Sequence, residues 1–208
     1  MCSFIDSLYC EKLREYIKNP SAIEINEDEF AVRIDNQSSF VIKKTISFDQ
    51  ESYSIFYTER GTERLLDSSL ELKRIKKSFA IKLKTAFSER PNYESRKRFE
   101  MIESENEMID FIDNSFDVRY FSIGHKESNK LCLLKSEDNK YDLYLVMIGC
   151  QEKILVEKAE MIDAYFALYN YLVFYTYYSD MIIKYELLFN EHTPSAEEIL
   201  DYLDFPVM

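Results

Sequence analysis

The sequence predicts an α+β fold, and three observations carry the prediction. Apolar residues at helical spacing fill positions 5–17, apolar residues alternate with polar ones through 30–57, and a charge-free aromatic run, YFALYNYLVFYTYY, occupies 165–178. One domain over 1–208 is the economical arrangement. It has a mostly antiparallel sheet of about seven or eight strands, an N-terminal helix, a polar middle helix and an aromatic-rich C-terminal helix. No repeat or low-complexity linker divides the chain.

The elements follow in order. Ile5, Leu8, Tyr9, Leu13, Tyr16 and Ile17 recur every three or four residues, and Pro20 ends the run. A helix over 4–18 is expected, with Ser3 and Asp6 resembling a capping box. Alternation then takes over. Phe30, Val32 and Ile34 face one way, as do Phe40, Ile42 and Ile46 after DNQSS, and Tyr53, Ile55 and Tyr57 after FDQE. This is the pattern of a three-stranded meander. Residues 62–76 fit neither period. Phe79, Ile81, Leu83, Thr85 and Phe87 alternate with Lys82 and Lys84, so a fourth strand is expected there.

Pro91 opens a polar helix near 93–113, with Phe99, Ile102, Ile109 and Ile112 inward. Strands return at 117–123, 130–136, 140–148 and 152–157, joined by hairpin turns at GHKESN and SEDN. A helix over 159–178, with a continuation to 190 left open, precedes a short helix from Pro194. Thr193 suits the cap of that last helix, and Glu197 and Glu198 suit its positive end. The aromatic run is apolar all round, as in a helix buried on most sides. Its rings therefore read first as core, with Tyr165, Tyr169 and Leu172 inward and Tyr171, Tyr175 and Tyr178 partly outward.

Composition narrows the function. Hydrophobic residues make up 46% and aromatic residues 15%, enough for a sizeable core and against extended disorder. Only three glycines are present, and no GxGxxG, GxxxxGK or GxSxG occurs. Phosphate-cradling loops lean on glycine because it enters positive φ freely, so these nucleotide and nucleophile signatures are excluded. Gly61, Gly124 and Gly149 read as turn residues, and ERGTER (59–64) as a strand-to-helix turn. The opening MCSFIDSLYCEKLREY has neither the basic start nor the apolar run of a secretory signal, so a cytoplasmic location is expected. Cys2, Cys10, Cys132 and Cys150 have no metal-ligand spacing and read as reduced thiols. His125 and His192 have no Cys or carboxylate at ligand spacing. No metal, no cofactor and no catalytic residue is expected. A pairing of His125 with Cys132 across a hairpin would need an orienting third group, and none is evident.

Charge is the sharper signal. The formal net charge is −12, yet residues 1–104 carry 18 acidic and 18 basic side chains while 105–208 carry 20 and 8. Residues 73–98 hold ten Lys/Arg against two Glu, and FEMIESENEMIDFIDNSFD that follows holds seven acids and no base. In one continuous helix over 93–113, Arg96, Lys97 and Arg98 would sit at the positive end and Asp110 and Asp113 at the negative end. That polarity costs about 0.3–1 kcal/mol per exposed charge. Either tertiary pairing or an external partner would explain it.

Two functional classes follow. The first is a non-enzymatic acidic inhibitor that covers the basic cleft of a protein partner, such as an immunity protein against a co-encoded toxin or a phage protein blocking a host defence enzyme. Its contacts would be Glu103, Glu105, Glu107, Asp110, Asp113, Tyr171, Tyr175, Tyr178, Asp201, Tyr202 and Asp204. The second is a nucleic-acid-binding or nucleic-acid-processing protein using Lys73, Lys77, Lys82, Lys84, Arg96 and Arg98. The net negative charge disfavours polyanions, so the first class leads. No membrane partner is expected.

Overall fold

The computed structural model describes residues 4–18, 23–48, 50–88, 94–147, 149 and 151–190. The α+β class holds, with mostly antiparallel strands that divide between a five-stranded and a four-stranded sheet. Contacts group the chain into two compact units, Met1–Arg90 with Lys184–Glu191, and Pro91–Ile183 with His192–Met208. Among the described residues no helix is long and apolar enough to cross a membrane.

The first unit begins with helix α1, Ser7–Ile17. Its cap is Asp6, whose carboxylate accepts from the Tyr9 N–H at 2.7 Å. Ser3, the expected partner in that cap, lies outside the described residues. Lys18 closes the helix in the left-handed region, sending its N–H back to the Arg14 carbonyl. The sheet runs in sequence order through β1 (Ile23–Ile25), β2 (Glu29–Arg33), β3 (Ser38–Ser47), β4 (Gln50–Glu59) and β5 (Thr62–Ser69), antiparallel throughout. Its inner face is the alternating set read from the sequence: Phe30, Val32, Phe40, Ile42, Tyr53 and Ile55 are all buried. Ile46 departs from that set. It lies near the β3–β4 turn and is 62% exposed. ERGTER proves to be a strand-to-strand hairpin. Arg60 and Gly61 both take positive φ, 50° and 80°, the turn type whose twist matches two antiparallel strands.

The expected strand at 79–87 is corrected. Residues Leu72–Phe87 form helix α2, which lays Phe79 against Phe30 (5.5 Å between ring centres) and Phe40 (6.3 Å). Alternation over nine residues was real but incidental. Ile75, Phe79 and Leu83 recur every four residues, and that longer pattern decided the element. Burying Phe79 completely is worth roughly 1.5–3 kcal/mol.

The second unit starts with two helices where one was expected. Helix α3, Glu94–Phe99, and helix α4, Glu105–Ser115, are separated at residues 100–104. Ser104 makes the break, because its hydroxyl accepts from the Glu107 N–H at 3.3 Å and starts a new helix. A 3₁₀ turn, Val118–Tyr120, leads into β6 (Phe121–Ile123), β7 (Lys130–Lys135), β8 (Tyr141–Val146) and β9 (Glu152–Ala159). β6 and β7 pair in parallel, so GHKESN is not the hairpin turn expected. SEDN does join an antiparallel hairpin, β7 to β8. Leu131, Leu133, Leu143 and Leu145 fill the inner face.

Helix α5, Met161–Phe189, is one continuous element. The open continuation beyond 178 thus resolves to helix, and its residues 184–189 belong to the first unit. Tyr165, Tyr169 and Leu172 are buried as expected. Tyr169 stacks on Phe99 at 5.0 Å and meets Phe111 and Phe116 edge-on. The aromatic run is therefore packing material for a core. The helix expected from Pro194, with Thr193, Glu197 and Glu198, lies outside the described residues.

Candidate functional site

Splitting the middle helix reverses its electrostatics. Arg96, Lys97 and Arg98 now occupy the last turn of α3, and Glu105 and Glu107 the first turn of α4. Both sets complement the helix dipole, so the expected mismatch is corrected for Arg96, Lys97 and Arg98, while Asp113 keeps its place at a negative helix end, in the last turn of α4. Within α4, Met108 and Ile112 point into the core. Residues 107, 110 and 113 are spaced by three and share the opposite face. Glu103, Glu107, Asp110 and Asp113 are all exposed, and none enters an ion pair among the described residues. Four carboxylates thus face solvent along one short helix and its lead-in.

Glu105 is different. Its Oε1 accepts from the hydroxyls of Tyr141 (2.6 Å) and Tyr165 (3.2 Å), and its Oε2 is 3.5 Å from the Lys135 ammonium. The Tyr141 hydrogen bond is the chief reason its carboxyl sits below the ordinary glutamate range. Burial and the adjacent carboxylate push the Tyr165 phenol up. This is an internal anchor between α4, β8 and α5, not a surface contact.

The tyrosines expected beside the acids do not join them. Tyr171 is half-buried. Tyr175 and Tyr178, expected partly outward, are buried, at 1% and 5% exposure. Tyr175 packs edge-on against Tyr120 and donates to the Asn129 carbonyl at 3.4 Å. A helix apolar on every side offers no outward stripe for them. Asp201, Tyr202 and Asp204 lie outside the described residues.

The basic ribbon is broken up. Lys77 is buried, with its ammonium 2.6 Å from the Glu186 carboxylate. Lys76 pairs with Asp6 at 2.8 Å and Arg74 with Asp67 at 3.1 Å. Lys82 is half-buried, and Arg98 is exposed. Arg96 pairs with Glu100 and stands over the Phe166 ring at 4.8 Å. Lys84 is half-buried over the Tyr16 ring, and its ammonium is held below the usual lysine range, first by burial and then by Lys18 and Lys184. Among the described residues the basic side chains of 73–98 do not form one ligand-facing strip, because Lys77 and Lys84 pack inward and Arg74, Lys76 and Arg96 are paired with carboxylates.

His125 and Cys132 do not pair. The His125 Nε2 lies 2.6 Å from a Glu127 carboxylate oxygen, while the Cys132 thiol is buried against the Glu127 backbone. Burial pushes that thiol up, away from a nucleophilic thiolate. Cys10 is also a buried free thiol; Cys2, Cys150 and His192 lie outside the described residues. Among the described residues no group of three or more His, Cys, Asp or Glu could hold a metal ion.

One concave feature escaped the sequence reading. In the first unit, α1, the start of α2 and the end of α5 enclose a groove of about 400 Å³. Tyr9, Lys12, Lys73, Lys76 and Phe189 line it. The signal was present as lysines beside aromatics on α1 and at 73–76, but their convergence needed the fold. No family model, curated protein or solved structure matches this chain.

Proposed function

We propose that the chain is a non-enzymatic binding protein for a basic protein partner, and that the outer face of α4 is its docking surface. The observation that supports this reading is the set of exposed carboxylates Glu103, Glu107, Asp110 and Asp113, which enter no ion pair among the described residues. They stand on a molecule of net charge −12. Opposed potentials accelerate encounter and set orientation, and carboxylates laid over a cationic cleft exclude its substrate. An immunity protein that neutralises a co-encoded toxin, or a phage protein that blocks a host defence enzyme, works in this way. Glu105 supports the face from behind by holding α4 to Tyr141 and Tyr165. Tyr175 and Tyr178 take no part, since both are buried.

The nucleic-acid reading loses its main support, because Lys77 is committed to Glu186 and Lys84 is half-buried. The test is parallel affinity capture with the wild type and the variant E103K/E107K/D110K, followed by association kinetics of the captured protein. The expected result is a basic partner whose on-rate falls about tenfold or more for the variant at low salt. A partner held with equal on-rates by both proteins overturns the proposal.

A further inference from the structure

We propose that Lys18, Lys84 and Lys184 form a binding site on the first unit for a small, multiply charged phosphate compound. The site is separate from the α4 face and does not depend on it.

The three lysines come from three elements of that unit. Lys18 is the C-cap of α1, Lys84 lies in the last turn of α2, and Lys184 is the residue at which α5 enters the unit. Two rings bring them to one place. The Lys84 ammonium stands 5.7 Å from the centre of the Tyr16 ring, and Tyr16 meets Tyr185 edge-on at 5.7 Å. Lys18 follows Tyr16 by two residues, and Lys184 immediately precedes Tyr185. Both rings are buried, Lys84 is half-buried, and Lys18 and Lys184 are exposed.

Their charges act on one another. After burial, Lys18 and Lys184 are what hold the Lys84 ammonium below its usual range, and no carboxylate works against them. None of the three enters an ion pair among the described residues. The helix ends relieve only part of the repulsion. The carbonyl ends of α1 and α2 carry about half a unit charge each, and their effect falls off within a turn. An anion seated among the ammonium groups relieves the rest.

The donor set selects the class of anion. Each ammonium has three N–H donors, and the cation–π contact at Tyr16 leaves donors of Lys84 for an acceptor. A phosphate carries close to two charges and three strong acceptor oxygens, so one group can meet three ammonium groups from different elements. A carboxylate brings one charge and two oxygens.

The experiment is calorimetric titration of the full chain with inorganic tripolyphosphate, with citrate as the carboxylate comparison. The variants are K18Q/K184Q, at two exposed positions, and K12Q/K73Q, which makes the same change of charge elsewhere on the first unit. Circular dichroism confirms that each is folded. The expected result is tripolyphosphate binding below ~1 mM in low salt, tighter than citrate, weakened about tenfold or more in K18Q/K184Q and within about twofold of wild type in K12Q/K73Q. In thermal unfolding, tripolyphosphate is expected to raise the melting temperature of the wild type more than that of Lys84→Met. No tripolyphosphate binding at ~1 mM, equal binding by wild type and K18Q/K184Q, the same loss in both double variants, preference for citrate, or an equal thermal shift in Lys84→Met overturns the proposal. None of these readouts involves the α4 face, so this proposal and that of the basic partner fail independently.

Discussion

Lys77 and Glu186 form a buried ion pair, 2.6 Å between Nζ and Oε1, with side chains only 11% and 6% exposed. It joins α2 to the last turns of α5 within the first unit. Taking two charges out of water costs several kcal/mol each, and their attraction offsets that only while both are present. Glu186→Ala is therefore expected to lower stability by about 3–5 kcal/mol in urea denaturation. The paired change K77M/E186L is expected to match or exceed wild-type stability. A single variant that loses less than about 1 kcal/mol would show that water reaches the pair.

Glu105 receives two phenol hydroxyls from residues that are themselves buried, Tyr141 and Tyr165. Glu105→Ala leaves both hydroxyls without that acceptor, at about 1–3 kcal/mol each. Its carboxyl is depressed in the folded protein, so it stabilises the fold above the unfolded value and loses that contribution as pH falls through the folded one. Glu105→Gln is expected to flatten the acid side of the stability profile below pH ~4.3. An unchanged acid limb in this variant would remove Glu105 from the account.

Lys84 works with the opposite sign. Its ammonium is depressed by burial and by Lys18 and Lys184, so the folded protein releases this proton before the unfolded chain does. The charged form thus destabilises the fold at neutral pH, and stability returns as pH rises from the folded value towards the unfolded one near ~10.4. Lys84→Met is expected to raise the melting temperature at pH 7, with the gain shrinking at high pH. A lower melting temperature at pH 7 would mean that Lys84 has a compensating partner.

The division between α3 and α4 has its own test. Glu107 lies in the first turn of α4 and Asp113 in its last. Glu107→Lys is expected to destabilise by about 0.3–1 kcal/mol, and Asp113→Lys to stabilise by a similar amount. In a single helix over 93–113 Glu107 would lie nearly two turns before the end, and its change to lysine would be close to neutral. No loss of stability in Glu107→Lys on thermal unfolding would restore the single helix.

Much of the fold was legible in the sequence. The meander, the N-terminal helix, the β7–β8 hairpin and the burial of Tyr165 and Tyr169 follow from spacing that each segment carries locally. Errors arose where two local patterns overlapped. Phe79 and Leu83 satisfy both a two-residue and a four-residue period, and packing against Phe30 and Phe40 chose the helix. Ser104 with Glu107 three residues on was a readable helix start, but the longer apolar spacing of 99–112 masked it. The acids of α4 were readable as a set. The groove was not, since Lys12 and Lys73 lie far apart along the chain.

The α+β class and the apolar faces are written in the chain itself, because they depend on periods of two and 3.6 residues within a segment, and the charge asymmetry is a matter of counting. Tertiary structure alone decided which charges are consumed. It buried Lys77 against Glu186, tied Glu105 to two tyrosines, left Glu107 and Asp110 in solvent, and gathered Lys12, Lys73 and Lys76 around one groove. The physical reason is range. Hydrophobic periodicity is written between near neighbours, whereas an ion pair or a binding site joins residues that only the folded chain brings within a few ångströms.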